Sequence, residues 1–258
     1  MSAFAGFRLL LQKELREQLR TLRLVVVVAV LAAFGATSPL LAKFLPDIIK
    51  VAGTETAGLT ITMPTPTTAD AVAQLVKNLG QFGLLIAILV AMGSVATEKE
   101  RGTAGFVLTK PVGRGPFIMA KAAAIGLLLA AGIAAGYALA WIYTAVLFEP
   151  LPLPGFAASG ALLWLSLLLT GSVTFLFSVL ARSSLVAGGA GFVALIVTGI
   201  VAAIPGIGAY APTGLSTPAI ALALGTARGD LAGPIIVNVA LVGLALGAAQ
   251  VAFRRQEL

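Results

Sequence analysis

Six runs of the chain, residues 24–42, 79–96, 122–148, 156–181, 185–204 and 231–253, contain no Asp, Glu, Lys or Arg. A helix of roughly 20 apolar residues crosses the roughly 30 Å hydrocarbon layer of a bilayer. Lipid offers backbone N–H and C=O groups no partner, so such runs must close their hydrogen bonds within themselves. The runs therefore predict an all-α, polytopic membrane protein with six transmembrane helices. The third span, set at 117–148 because the chain turns apolar from Pro116, is long enough to require tilt.

Composition agrees, since 59% of residues are apolar and only 10% charged, against roughly 25% charged in soluble domains. The sequence has no cysteine and no histidine. Disulfides, thiolate metal sites and the commonest general base and metal ligand are thereby missing, and we expect no catalytic residue, no metal site and no cofactor in this chain. No phosphate-cradling G-x-x-x-x-G-K-[ST] loop occurs either. Any nucleotide that drives the protein must sit on another polypeptide.

A net charge of +7 would suggest nucleic acid in a soluble protein, but its distribution speaks of topology and no nucleic-acid partner is expected. With both termini cytoplasmic, thirteen basic residues fall on the inner side of the six spans and four on the outer. That bias obeys the positive-inside rule and predicts a multi-pass protein of the cytoplasmic membrane.

Between the spans, residues 1–23 alternate charge with Phe7, Leu11, Leu15, Leu19 and Leu22 at helical spacing, an amphipathic helix suited to the inner membrane interface. Residues 43–78 read as a polar, proline-containing loop whose last part, 70–78, is a short helix leading into the second span. Prolines 150, 152 and 154 mark a stiff turn. Segment 205–230 is rich in Gly and Pro around a short apolar patch, 219–224, too short to cross a bilayer and read as a re-entrant or interfacial helix in an outer hairpin. Within the spans, Thr170, Ser172, Thr174, Ser178, Thr198, Asn238 and Gln250 are expected to make interhelical hydrogen bonds, and the pairs Gly132/Gly136 and Gly243/Gly247 close helix packing. No ionisable residue stands near the middle of a span, which disfavours an ion-coupled carrier.

The loop 97–116 and its extension to Lys121 form a charged island holding Glu98, Lys99, Glu100, Arg101, Lys110, Arg114 and Lys121. Gly102 permits a sharp turn, Thr103 caps a short helix over 104–109, and Pro111 ends it. Phe106 and Leu108 would then be apolar side chains on a short helix ringed by charge, a docking surface. Arg114 and Lys121 are expected at the membrane surface, Lys121 snorkelling to water.

The pattern Glu98-x3-Gly102-Thr103-x4-Leu108-x2-Pro111-x2-Arg114, placed between the second and third of six spans, resembles the signature of the ABC type-2 exporter permeases. Gln12-Lys13-Glu14-Leu15-Arg16 is similar to that family's elbow-helix motif. The resemblance implies that 1–258 is a single permease domain with an N-terminal elbow helix, a cytoplasmic coupling helix and the outer hairpin. It also implies a dimer with a second permease copy or paralogue, and two cytoplasmic ABC ATPase subunits that hold ATP and Mg. Glu98, Arg101, Gly102, Thr103, Phe106, Leu108, Pro111 and Arg114 would couple to the ATPase, and Lys13, Glu14 and Arg16 would form the elbow interface. The polar-poor spans tilt the substrate toward something hydrophobic or amphipathic. Two other readings stand beside this one: an autonomous channel or secondary carrier, and a non-transporting membrane assembly subunit.

Overall fold

A computed structural model describes residues 3–53, 65–102, 113–227 and 231–256. The described residues are helical with no strand. In order they form α1 (Ala3–Arg20), α2 (Arg23–Gly53), α3 (Thr68–Met92), α4 (Ala96–Glu100), α5 (Arg114–Leu147), α6 (Leu153–Leu180) and α7 (Ser184–Ala202). Two 3-10 turns, Gly208–Tyr210 and Pro212–Leu215, then precede α8 (Ser216–Ala223) and α9 (Ala232–Arg254). Six described segments are long and apolar enough to cross a membrane: Arg23–Ile49, Thr68–Glu100, Arg114–Leu147, Leu153–Leu180, Ser184–Ala202 and Ala232–Arg254. The protein is a multi-pass membrane protein. Because the spans alternate in direction, α1, α4 and the end of α9 share one end of the bundle, and the segment 203–227 lies at the other.

Three boundaries differ from expectation. The first helix does not stop at residue 42 but runs through Pro39 and Pro46 to Gly53. Each proline removes one backbone donor, yet Leu41, Phe44, Leu45 and Ile48 continue the helical apolar spacing past Lys43. The short helix expected at 70–78 is instead the beginning of α3. A capping box starts it at Thr67: the Thr67 N–H donates to Asp70 Oδ2 (2.8 Å), and the Asp70 N–H donates back to Thr67 Oγ1 (3.4 Å). The expected second span, 79–96, is interrupted at Gly93–Val95, where the chain turns before α4 begins.

Helix α6 is the most enclosed of the six spans, with 72% of its most apolar stretch buried against 17% for α7 and for α9. Around it, α2 and α5 approach at glycine. A Cβ on Gly35 would stand 2.0 Å from the carbonyl oxygen of Gly136, and one on Gly132 would stand 2.5 Å from Leu31 Cδ1. The first small-residue pair thus makes the close packing expected of it, whereas Gly243 and Gly247 face open space.

The hydroxyls within spans divide. Thr170, Ser172 and Thr174 return their protons to carbonyls of their own helix. Asn238 reaches another element, donating to the Tyr210 carbonyl at 3.0 Å. Ser166, not singled out from the sequence, donates to the Pro212 carbonyl at 2.7 Å. With Gly155, where a Cβ would meet the Leu222 carbonyl at 2.4 Å, these contacts seat the 203–227 segment against α6 and α9.

Candidate functional site

Of the island's charged residues, Glu98, Lys99, Glu100 and Lys121 meet at α4, which acts as a small hub. Its N-terminus is held by Ser178 of α6, whose hydroxyl oxygen accepts from the Val95 and Ala96 N–H groups at 3.1 and 3.0 Å. These are donors that a helix start leaves unpaired. Lys99 donates to the Val179 carbonyl, and Gln256 donates to the same oxygen at 2.9 Å. Both occupy the acceptor-rich C-terminus of α6. Glu100 accepts from the Ser184 N–H at 2.9 Å, placing negative charge at the first turn of α7. One five-residue helix is thereby fastened to the α6–α7 corner at three points.

On its other side α4 meets α1 and α5 through charge. Lys121, on the second turn of α5, is only 4% exposed. Its ammonium donates to Glu98 Oε1 at 2.7 Å and to Glu14 Oε1 at 3.1 Å, and lies 5.2 Å from the centre of the Phe117 ring. The expected snorkelling of Lys121 to water is therefore corrected. Carboxylates from α1 and α4 come to the lysine, and a charge so paired can stay buried. Lys13 extends the array, with Nζ 3.0 Å from both Glu14 Oε1 and Glu17 Oε2 and 4.0 Å from Glu98 Oε1.

Burial works against the Lys13 charge, but Glu14 and Glu17 outweigh it and hold the ammonium above its ordinary value. Burial likewise pulls the Glu17 carboxyl up, and Lys13, helped by Lys121 and Arg23, outweighs it, so Glu17 stays below the usual carboxylate range.

Helix α1 turns a stripe of Gly6, Leu10, Glu14 and Gln18 toward the bundle. Gln18 is buried, and its amide donates to the Ala124 carbonyl at 3.1 Å. Leu19 and Leu22, on the apolar face read from the sequence, are 54% and 60% exposed. The motif residues Lys13 and Glu14 thus enter the ion array, while Arg16 is exposed.

Glu98 stands in the array as an internal brace. Arg101 is exposed and ends α4, and Gly102 follows in the left-handed region at φ 65° with open space around it, the sharp turn expected there. Arg114 does not lie free at the surface. Its Nη1 donates to the Arg254 and Gln256 carbonyls at 2.9 and 3.0 Å, closing the C-terminus of α9. Thr103, Phe106, Leu108 and Pro111, with the short helix expected at 104–109, lie outside the described residues. Sequence reasoning missed the brace made by Ser178, Ser184 and Lys121. Ser178 was visible only as one hydroxyl among several on the fourth span.

Two apolar cavities open along the spans. One of about 560 Å3 lies between α5 and α6, beside Tyr137, Trp141, Phe156 and Trp164. The other, about 420 Å3, lies among α6, α7 and α9, beside Thr170, Thr198 and Leu244.

A family model described as "ABC-2 family transporter protein" matches residues 8–224. The chain is 30% identical over 166 residues to the "Uncharacterized transmembrane protein YxlG" of Bacillus subtilis (strain 168), covering 64% of each chain. It is 36% identical over 80 residues to the "Probable ABC transporter permease protein NosY" of Stutzerimonas stutzeri, covering 31% of this chain and 27% of that one. The chain thus matches less than two thirds of the length of either relative.

Proposed function

This chain belongs to the ABC-2 transporter family, and from that premise we infer that it is the membrane-spanning permease subunit of an ABC exporter. ATP is hydrolysed in two separate cytoplasmic ATPase subunits, which bind ATP and Mg, and a second permease copy or paralogue completes the pathway. The relation to the probable ABC transporter permease protein NosY of Stutzerimonas stutzeri supports this reading, as does the absence of a nucleotide-binding motif from the sequence. The whole chain, 1–258, acts as one permease domain of the cytoplasmic membrane. Its basic bias sets both termini and α4 on the cytoplasmic side.

The observation that carries the proposal is the fastening of α4. The turn at Arg101–Gly102 opens the loop expected to dock the ATPase, and the helix just before it is tied to α1, α5, α6 and α7 at once. Force applied at that loop reaches four elements without passing through a flexible linker. Arg101, Gly102, Thr103, Phe106, Leu108 and Pro111 form the handle. Glu98 and Arg114 position it from within the bundle, and Lys13, Glu14 and Arg16 place the elbow helix at the membrane surface. The two apolar cavities fit a hydrophobic or amphipathic substrate.

The test is affinity purification of the chain from native membranes, followed by ATPase assay in proteoliposomes. We expect an ABC ATPase to be recovered with it and its activity to rise in the chain's presence. Gly102→Pro, which cannot adopt a positive φ, should insert normally yet remove that stimulation. Recovery without any ATPase, or a Gly102→Pro variant that stimulates as fully as the parent, contradicts the proposal.

A further inference from the structure

Between α1, the α3–α4 turn and the first turns of α5 the junction encloses a cavity of about 370 Å3, within the roughly 300–1,000 Å3 typical of small-molecule sites. Unlike the two cavities along the spans, it is lined by charge. Glu14, Glu17, Glu98 and Lys121 line it and are committed to the ion array. Arg23 and Arg101 also line it and are exposed; Arg23 adds to the field that holds the Glu17 carboxyl low, and Arg101 has no ion-pair partner among the described residues. Three carboxylates and three cations line the cavity, and with Lys13 beside Glu14 and Glu17 the cluster carries one positive charge in excess. Gln18, on the same wall, keeps a buried amide oxygen without a hydrogen-bond partner.

Depth narrows the ligand. Arg23 opens the first span and Arg101 directly follows the second, which ends at Glu100, so the two guanidiniums stand where hydrocarbon gives way to headgroups. Immediately beside Arg23, Leu22, Val25 and Val26 are 60%, 52% and 57% exposed. They form an apolar strip beside Arg23 at the start of α2. A group that satisfies both features has an anionic head and an apolar tail.

We propose that this cavity binds one anionic phospholipid, its phosphate held by Arg23 and Arg101 and an acyl chain lying along Leu22, Val25 and Val26. Guanidinium forks match phosphate oxygens, and basic pockets between spans recognise lipid headgroups. A hydroxyl-bearing head such as that of phosphatidylglycerol also brings donors to the Gln18 wall. The site does not depend on the direction of transport or on the ATPase.

Native mass spectrometry of the full chain, delipidated in detergent and given equimolar phosphatidylglycerol and phosphatidylcholine, tests this. At least fivefold more phosphatidylglycerol than phosphatidylcholine should remain bound. The variant Arg23→Gln/Arg101→Gln should bring the ratio within twofold, and Arg23→Lys/Arg101→Lys should keep most of the preference. Should the double Gln variant fail to fold, each single Gln variant should give an intermediate ratio. Equal retention of the two lipids by the parent chain, or an unchanged ratio in the Gln variants, overturns the proposal. Displacement of the lipid by equimolar soluble glycerophosphoglycerol overturns the lipid as ligand, since the tail would then contribute nothing.

Discussion

The two ends of the bundle are held together by different chemistry. At the end that carries α4, a buried lysine bridges two carboxylates, and charged or amide side chains close the termini of α6, α7 and α9. At the opposite end most of the described ties run from neutral groups, among them Trp141 to the Leu151 carbonyl at 3.1 Å, Ser166 to Pro212 at 2.7 Å and Asn238 to Tyr210 at 3.0 Å, with the Lys43 ammonium 5.1 Å from the centre of the Phe148 ring as a charged exception. A bond from a neutral donor to a carbonyl is insensitive to pH and salt. An ion array answers to both, and loses far more when one member is removed. The comparison teaches that charged, multipoint ties gather at the end where, on the proposed function, a partner pulls, while the far end is seated mostly by single neutral ties.

The largest effect belongs to the bridge. Lys121→Met leaves Glu14 and Glu98 with only the more exposed Lys13, at 3.0 and 4.0 Å, and removing one partner of a buried pair costs up to about 3–5 kcal/mol. Thermal unfolding in detergent should show it as the most destabilised single variant. Next stands the glycine contact between α2 and α5. Gly35→Ala would press a methyl into the Gly136 carbonyl, and overpacking of this kind costs about 1–3 kcal/mol. Gly247→Ala on α9, with open space around it, should stay within about 0.5 kcal/mol of the parent. Equal effects at Gly35 and Gly247 would erase the distinction between the two small-residue pairs.

These contrasts also mark what the sequence made legible. Six charge-free runs specify six spans because periodicity and length are local properties, and the Gly132/Gly136 pair announces close packing. Neither kind of signal tells which small-residue face meets a neighbour, so Gly243 and Gly247 read identically. Prolines mislead for a related reason. Pro46 stops a helix only where nothing else favours it, and α2 continues because its apolar spacing does. The capping box at Thr67 was present as a Thr-x-x-Asp signal, and from it the helix read at 70–78 runs into the second span as one element, α3. Lys121 was misread because its position near a span end suggests water, while its burial depends on two residues, 107 and 23 positions away in sequence. Long-range pairing of that sort leaves no local pattern.

At the neutral end, Asn238→Leu removes the bond to the Tyr210 carbonyl and should cost about 1 kcal/mol, with no change in that cost between low and high salt. The smallest effect is that of pH on α1. Because the folded state holds Glu17 below the carboxylate range, its contribution is complete above the unfolded value and fades as pH falls through the folded one. Lys13, held above its ordinary value, contributes until pH rises through the folded one. Protease cleavage between α1 and α2 should therefore accelerate in acid and stay slow through mildly alkaline pH. Acceleration beginning near neutrality would place another group in control.

The most direct measurement is a double-mutant cycle on the bridge itself, comparing Lys121→Met, Glu98→Gln and the two together by unfolding free energy. If α4 is locked to α5 through this pair, the two costs should fall short of additivity by about 1.5–3 kcal/mol. Additivity within about 0.5 kcal/mol would mean that Lys121 and Glu98 do not act as one joint, and that α4 is not the rigid link between the loop beyond Gly102 and the rest of the bundle.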